Sequence, residues 1–447
     1  MLRRACCLLF AIVVAACGQG DPATPSPPGP GVGETITGRE RIGWDQPASS
    51  AAELATFRYA IYVDGVRSVI AGTTCAATAG AGGFACSGQL PSMAPGTRTL
   101  ELATFFDSGG IVESTKSAPL RVTVTGATSP IGATPLQPGD LVATADGVRL
   151  TADLLVSGLE DVVDIAVAPD GRLFIAERAG RLRIVSGSTV VDALSSASDG
   201  GLLSLALGPG SGHLLAVHQA GEAFRLVRYR VEGSRLLDRM PLIRDVPASA
   251  EPSAAVRIGP DARIYVAFDD GGSPDAAAKL SEWSGKVLRL NFDGRTPDDQ
   301  PAASPVFWPG LKSPRGLDWT PDLATLWIVE RGAEGMERIR ALTTGPERPR
   351  RAVQRGTYVL PQPLGARSLA FYSGHQVRQF AGDMFIAASE GGYLLRVRFD
   401  PSDPLRAVSS ERLLEGRLGE VRAVAMSADG AVLVASPGAV WRLDLVR

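Results

Sequence analysis

The sequence predicts an all-β chain: a six-bladed β-propeller preceded by a small β-sandwich. Two observations carry this. A strand–turn–strand unit recurs six times after residue 149, and a separate set of short strands occupies residues 37–126. The recurring segments are too short, too β-branched and too regularly broken by turns for a helical solenoid.

The unit is clearest at Val162–Val185, VVDIAVAPDGRLFIAERAGRLRIV. Alternating Val, Ile and Phe suit a half-buried pleated surface, and Pro169-Asp170-Gly171 is a strong hairpin turn. One such meander cannot bury both faces, so the chain repeats it. Echoes run Gly201–Gln219, Ala254–Gly272, Pro314–Gly332, Arg367–Phe399 and Val421–Leu445. With Asp170, Pro209, Asp261, Pro321, Asp383 and Asp429 as turn marks, the intervals are 39, 52, 60, 62 and 46 residues. Strand repeats of about 40–50 residues mean propeller blades, and the longer intervals leave room for loops over one face.

The N-terminus predicts export. Arg3 and Arg4 precede the apolar run Ala5–Ala16, which ends in Val14-Ala15-Ala16-Cys17-Gly18. A short apolar run with basic flanks is a secretory signal. Small residues before the cysteine resemble a bacterial lipobox, which implies removal of residues 1–16 and lipid on Cys17. Gly18 then favours the outer over the inner membrane, with the protein facing periplasm or exterior. Residues 17–36 are Pro/Gly-rich and read as a tether. The net charge of −2 argues against a nucleic-acid partner. Of five cysteines, Cys6 and Cys7 leave with the signal and Cys17 takes lipid. Cys75 and Cys86 remain, and an even pair in an oxidising compartment reads as a disulfide.

Residues 37–126 offer Trp44, a strand at Thr56–Val63, the turn Asp64-Gly65 and further strands to Val124. Their order resembles a fibronectin type III domain, serving as a spacer or as a glycan-binding module. Residues 127–148 read as linker and residues 149–447 as propeller.

Within the propeller, several stretches resemble the soluble glucose/sorbosone dehydrogenases. They include Ser157-Gly158-Leu159-Glu160, Ile258-Gly259-Pro260-Asp261, Gly285-Lys286-Val287-Leu288-Arg289-Leu290-Asn291 and Pro314-Arg315-Gly316-Leu317. Later come Gly382-Asp383-Met384-Phe385 and Arg396-Val397-Arg398-Phe399-Asp400-Pro401. The resemblance implies a six-bladed fold, pyrroloquinoline quinone (PQQ), calcium, and a histidine base that assists oxidation of a sugar at its anomeric carbon. Carried over residue by residue, it puts Glu251 where the family has that histidine. Lys312-Ser313 stand for an Arg-Asn pair. Glu390 stands for a cofactor-holding lysine and Glu420 for an arginine, while the arginine Arg422 is retained. In the acidic loop after Trp327, Glu330 and Glu337 are the candidate calcium ligands.

PQQ carries three carboxylates, so Glu390 and Glu420 are expected to oppose it, each reversal being worth about 4 kcal/mol at 4 Å in a medium of intermediate dielectric. The sequence therefore predicts a degraded quinone site. Two functions remain open: a membrane-tethered PQQ-dependent aldose dehydrogenase, or a propeller that binds a glycan or protein partner. Other candidates carry less. His213, His218 and His375 each stand alone, and no glycine-rich phosphate loop leads from a strand into a helix. The Arg338–Arg355 stretch reads as a solvated insert, and Asp269-Asp270-Gly271-Gly272 as turn chemistry.

Overall fold

A computed structural model describes residues 12–14, 34–36, 40–90, 93, 96–107, 111–124, 134–194, 200–300, 303–322, 325–332, 335–344, 352–360, 364–400 and 403–446. Among them strands dominate, and no helix is long and apolar enough to cross a membrane. Cys6, Cys7, Cys17 and most of the tether lie outside the described residues. The chain divides into two compact units, the first made of Met1–Thr128 with Tyr358–Gln362 and Arg406–Ser410, the second of the rest.

The first unit is a sandwich of two sheets. One sheet orders Ile12–Val14, Arg41–Gln46, Phe84–Gln89 and Ala71–Cys75. The other orders Glu34–Ile36, Leu120–Val124, Gly96–Asp107, Arg58–Val63 and Val66–Val69, with Ile111–Glu113 also paired to Gly96–Asp107. Alternate residues of each sheet fill one core, in which Trp44 meets Tyr59 edge-on at 4.8 Å between ring centroids. Asp64 and Gly65 both take positive φ, 50° and 82°, as the expected two-residue hairpin requires. Cys75 and Cys86 are bonded and sit opposite each other on neighbouring strands. Within the apolar run read as a signal, Ile12–Val14 forms a strand paired with Ile42–Trp44.

The second unit is built from six sheets. Five are four-stranded meanders in chain order, and the sixth joins both ends of the unit. There Arg149–Ser157 pairs with Ala439–Leu445, the last strand, so an early strand closes the ring. Each inner strand packs against the next, and the sixth packs against the first. All six sequence turn marks fall between the first and second strands of their blades. Each blade also has a fourth strand, such as Thr189–Leu194, whose half-exposed residues give little hydrophobic signal. The linker is shorter than expected. Asp140–Ala143 already belongs to the closing sheet, and Leu136 is buried in its core.

The turn aspartates have a second use. Asp261, Asp383 and Asp429 each pair with an arginine on the third strand of the same blade, Arg289, Arg396 and Arg442, at 2.8, 2.6 and 2.6 Å. Arg396 is completely buried and also binds Asp146 at 2.9 Å and Glu411 at 2.6 Å. It thereby ties the closing strand pair to the fifth blade.

Candidate functional site

The end of the propeller opposite the marked turns is where inner strands begin and second strands finish. The inner strands Ser313–Trp319 and Ala366–Phe371 carry Arg315 and Arg367 near their starts, and Arg422 stands just before Ala423–Met426. Among the second strands, Thr325–Arg331 ends in Arg331, and Arg178 follows Leu173–Glu177. All five arginines line one cavity of about 450 Å³, a volume within the small-molecule range. The same wall carries the acids Asp161, Glu251, Glu337 and Glu390.

These charges are unevenly paired. Asp161 lies 3.4 Å from Arg178 and 3.3 Å from Arg422, and Arg422 also holds Glu420 at 2.7 Å. Arg367 donates to the Ser389 hydroxyl at 3.1 Å. Among the described residues, no carboxylate comes within ion-pair distance of Arg315, Arg331 or Arg367. Burial, then repulsion from Arg367 and Arg331, pushes the Arg315 guanidinium down to about 10, with only partial relief from Glu251 and Glu337. Burial likewise lowers Arg178, and the Arg367 and Arg422 charges add to it.

The structure brings some sequence candidates together and disperses others. Glu251 and Arg422 reach the cavity, and so does Glu390. Lys312 is exposed and outside the lining, its amide donating to Glu330. Glu420 is also outside it, half-exposed and turned onto Arg422. Of the two glutamates expected to oppose PQQ, Glu390 lines the cavity and Glu420 does not.

Both proposed calcium ligands are engaged within the fold. Glu330 is buried, accepting from Arg340 Nε at 2.6 Å and from the Lys312 amide at 3.1 Å. Glu337 accepts the amides of Leu364 and Ala366 at 2.5 and 2.7 Å, and burial pushes its carboxyl up despite those bonds. The two amides flank Gly365, whose φ of 63° brings the chain so close that a Cβ there would lie 2.5 Å from Glu390 Cγ. Among the described residues, no group of three His, Cys, Asp or Glu is placed to hold a metal.

The histidines are elsewhere or occupied. His213 packs edge-on against Phe292, and His375 is exposed beside Gly430, both at the turn end. His218 is buried and contacts Tyr229 Oη at 3.3 Å. Asp269 is consumed by Ser249, Ser253 and the Gly271 amide.

Sequence reasoning gave no site role to Arg178, Arg315, Arg331 or Arg367. The signal lay in register: Glu177-Arg178 and Glu330-Arg331 close equivalent strands, and Arg315 and Arg367 open equivalent ones.

The family model described as Glucose / Sorbosone dehydrogenase matches residues 159–348 and 341–442. An aldose sugar dehydrogenase of Escherichia coli is 26% identical over 219 residues, covering 42% of this chain and 59% of that protein. A quinoprotein glucose dehydrogenase B of Acinetobacter calcoaceticus is 26% identical over 260 residues, 47% of this chain and 54% of that one. The chain thus spans less than two thirds of these curated relatives. Among solved structures, a putative oxidoreductase (glucose dehydrogenase) from Thermus thermophilus superposes with TM-score 0.55 at 26% identity, over 66% of this chain and 99% of that chain. The PQQ-bound aldose sugar dehydrogenase of Streptomyces coelicolor gives TM-score 0.55 at 20% identity, over 67% and 99% of the two chains, and speaks for the fold alone.

Proposed function

The chain belongs to the glucose/sorbosone dehydrogenase family, and from that premise we propose a propeller that keeps the fold and cavity but binds a ligand there instead of oxidising a sugar. One observation carries the reading: the groups that the oxidation needs beside its cofactor are not assembled. A base must take the proton of the anomeric hydroxyl as hydride leaves. Its place is held by Glu251, an exposed carboxylate in a cavity wall with five arginines. Calcium needs six to eight oxygens, and those of Glu330 and Glu337 are already spent. The cavity offers guanidiniums to carboxylates, so the residues present fit an anion, but among the described residues they do not assemble the calcium ligands of a calcium–quinone centre. The ligand in this reading is a glycan or an envelope protein.

The presence of Glu251 in the cavity favours one alternative, an active PQQ-dependent aldose dehydrogenase with a carboxylate base. Full-length protein incubated with PQQ and calcium should reduce no dye when given aldoses. Aldose-dependent dye reduction that disappears in Glu251→Gln would overturn the binding reading.

The N-terminal expectations stand as part of the proposal. Cys17 carries lipid, which puts the protein on the cell envelope, and the sandwich is a fibronectin type III-like spacer. Its strand order supports the latter, since Arg41–Gln46 with Phe84–Gln89 opposes Gly96–Asp107 with Arg58–Val63. Cys17→Ser should move the protein from the membrane pellet to the soluble envelope fraction; retention in the pellet would refute the anchor.

A further inference from the structure

We propose that the ligand of this cavity is an acidic carbohydrate, its carboxylates held by Arg315, Arg331 and Arg367 and its hydroxyls donating to Glu251 and Glu390. The proposal rests on the reading that the cavity binds rather than oxidises.

The argument starts from pairing. Of the five guanidiniums, Arg178 and Arg422 share Asp161, and Arg422 also has Glu420. Of the acids, Asp161 is spent on those two and Glu337 on two amides. What faces the open volume is therefore three arginines with no carboxylate in ion-pair reach among the described residues, and two acids, Glu251 and Glu390.

Three arginines on third strands of the propeller are treated differently. Arg289, Arg396 and Arg442 each hold at least two carboxylates. Like charges crowded in a half-buried pocket work against folding, as the depression of Arg315 registers. Groups that oppose the fold persist where a bound partner uses them. Guanidinium is a planar fork that engages a carboxylate through two parallel hydrogen bonds, so carboxylate is the matching anion.

The two acids restrict the ligand further. An ionised carboxylate only accepts hydrogen bonds, and a ligand made of carboxylates alone would meet Glu251 and Glu390 with like charge. Hydroxyls satisfy them. A molecule bearing carboxylates and several hydroxyls is a sugar acid, either free or at the end of an acidic glycan.

The test uses the full chain and isothermal titration with tri-galacturonate, the neutral maltotriose and citrate, beside the dye-linked aldose assay. Tri-galacturonate should bind, weakening as salt rises, with maltotriose silent and citrate weaker. Arg315→Ala should cost about tenfold or more in affinity, the scale of a charge-assisted hydrogen bond. It should also leave the melting temperature of the ligand-free protein equal or higher, whereas a merely structural arginine would lower it. Arg331→Ala is the second variant, should the first fold poorly. Equal binding of maltotriose, citrate binding best, or no binding of tri-galacturonate overturns the acidic-carbohydrate assignment and leaves the binding reading in place. Dye reduction by aldoses overturns that reading itself.

Discussion

Two arginines of the same propeller, Arg396 and Arg315, show opposite uses of one side chain. Arg396 is fully buried among Asp146, Asp383 and Glu411, and its guanidinium also lies over the Phe380 ring at 4.2 Å. Arg315 is half-buried, has no carboxylate within ion-pair reach among the described residues, and is opposed by Arg367 and Arg331. A buried charge is tolerable only when its partners replace water. Arg396 meets that condition within the fold, and it clasps Asp146 of the closing sheet to the fifth blade. Arg315 does not, and a carboxylate of the proposed ligand would meet that condition.

The comparison can be broken most directly at the clasp. Arg396→Ala leaves three carboxylates without their common cation, and the loss should be about 3–5 kcal/mol, the usual penalty for removing one side of a buried ion pair. Chemical denaturation checks it; a loss below about 1 kcal/mol would mean that Asp146 and Glu411 find water readily.

Gly365→Ala should cost about 1–3 kcal/mol, because the residue would need both a positive φ and space that Glu390 and Ser389 occupy. It should also disturb the amides that hold Glu337, so anion binding should fall together with stability. A variant as stable as the parent would show that the wall yields.

Arg315→Ala should do the reverse of Arg396→Ala, raising the stability of the ligand-free protein by a few tenths to about 1 kcal/mol. The sign follows from linkage. With its folded value lowered to about 10, Arg315 carries its full penalty below that pH. Above it the folded state loses the proton before the unfolded state does, and the penalty fades. The difference between variant and parent should therefore be constant through neutral pH and shrink above pH 10, as melting curves in matched buffers would reveal.

A further effect lies at the acid side of the clasp. Hydrogen bonding and charge from Arg396 hold Asp146 down at about 2. The stability it contributes is present above the ordinary aspartate range near 4 and is lost as pH falls through about 2. Asp146→Asn should lower the melting point at pH 5 and make little difference at pH 2.

Much of this architecture can be read along the chain. The marks Asp170, Asp261 and Asp429 each sit in a tight hairpin between two apolar strands, because turn geometry and strand alternation are local properties. Cys75 and Cys86 could be paired because export leaves no other thiol. The fourth strands were faint, since Arg235–Pro247 and Asp403–Leu413 alternate poorly and lie half-exposed at the blade edge. The start of the propeller was placed late for a related reason: Asp140–Ala143 is a strand only because Arg149–Ala152 pairs with it.

The site was far less legible. Aligning family positions put Glu420 against a bound quinone, yet Arg422 draws it aside. The same alignment made Glu330 a calcium ligand, although Arg340 and the Lys312 amide claim both its oxygens. By itself the sequence determined the strands, their turns and the number of blades, because each depends on neighbours along the chain. Only the tertiary structure decided which charges meet, because Arg178, Arg315, Arg331, Arg367 and Arg422 come from four blades and share a cavity only when the ring has closed. Whether an arginine ends as a clasp or as an open hand for a ligand depends on the carboxylates that closure brings within reach.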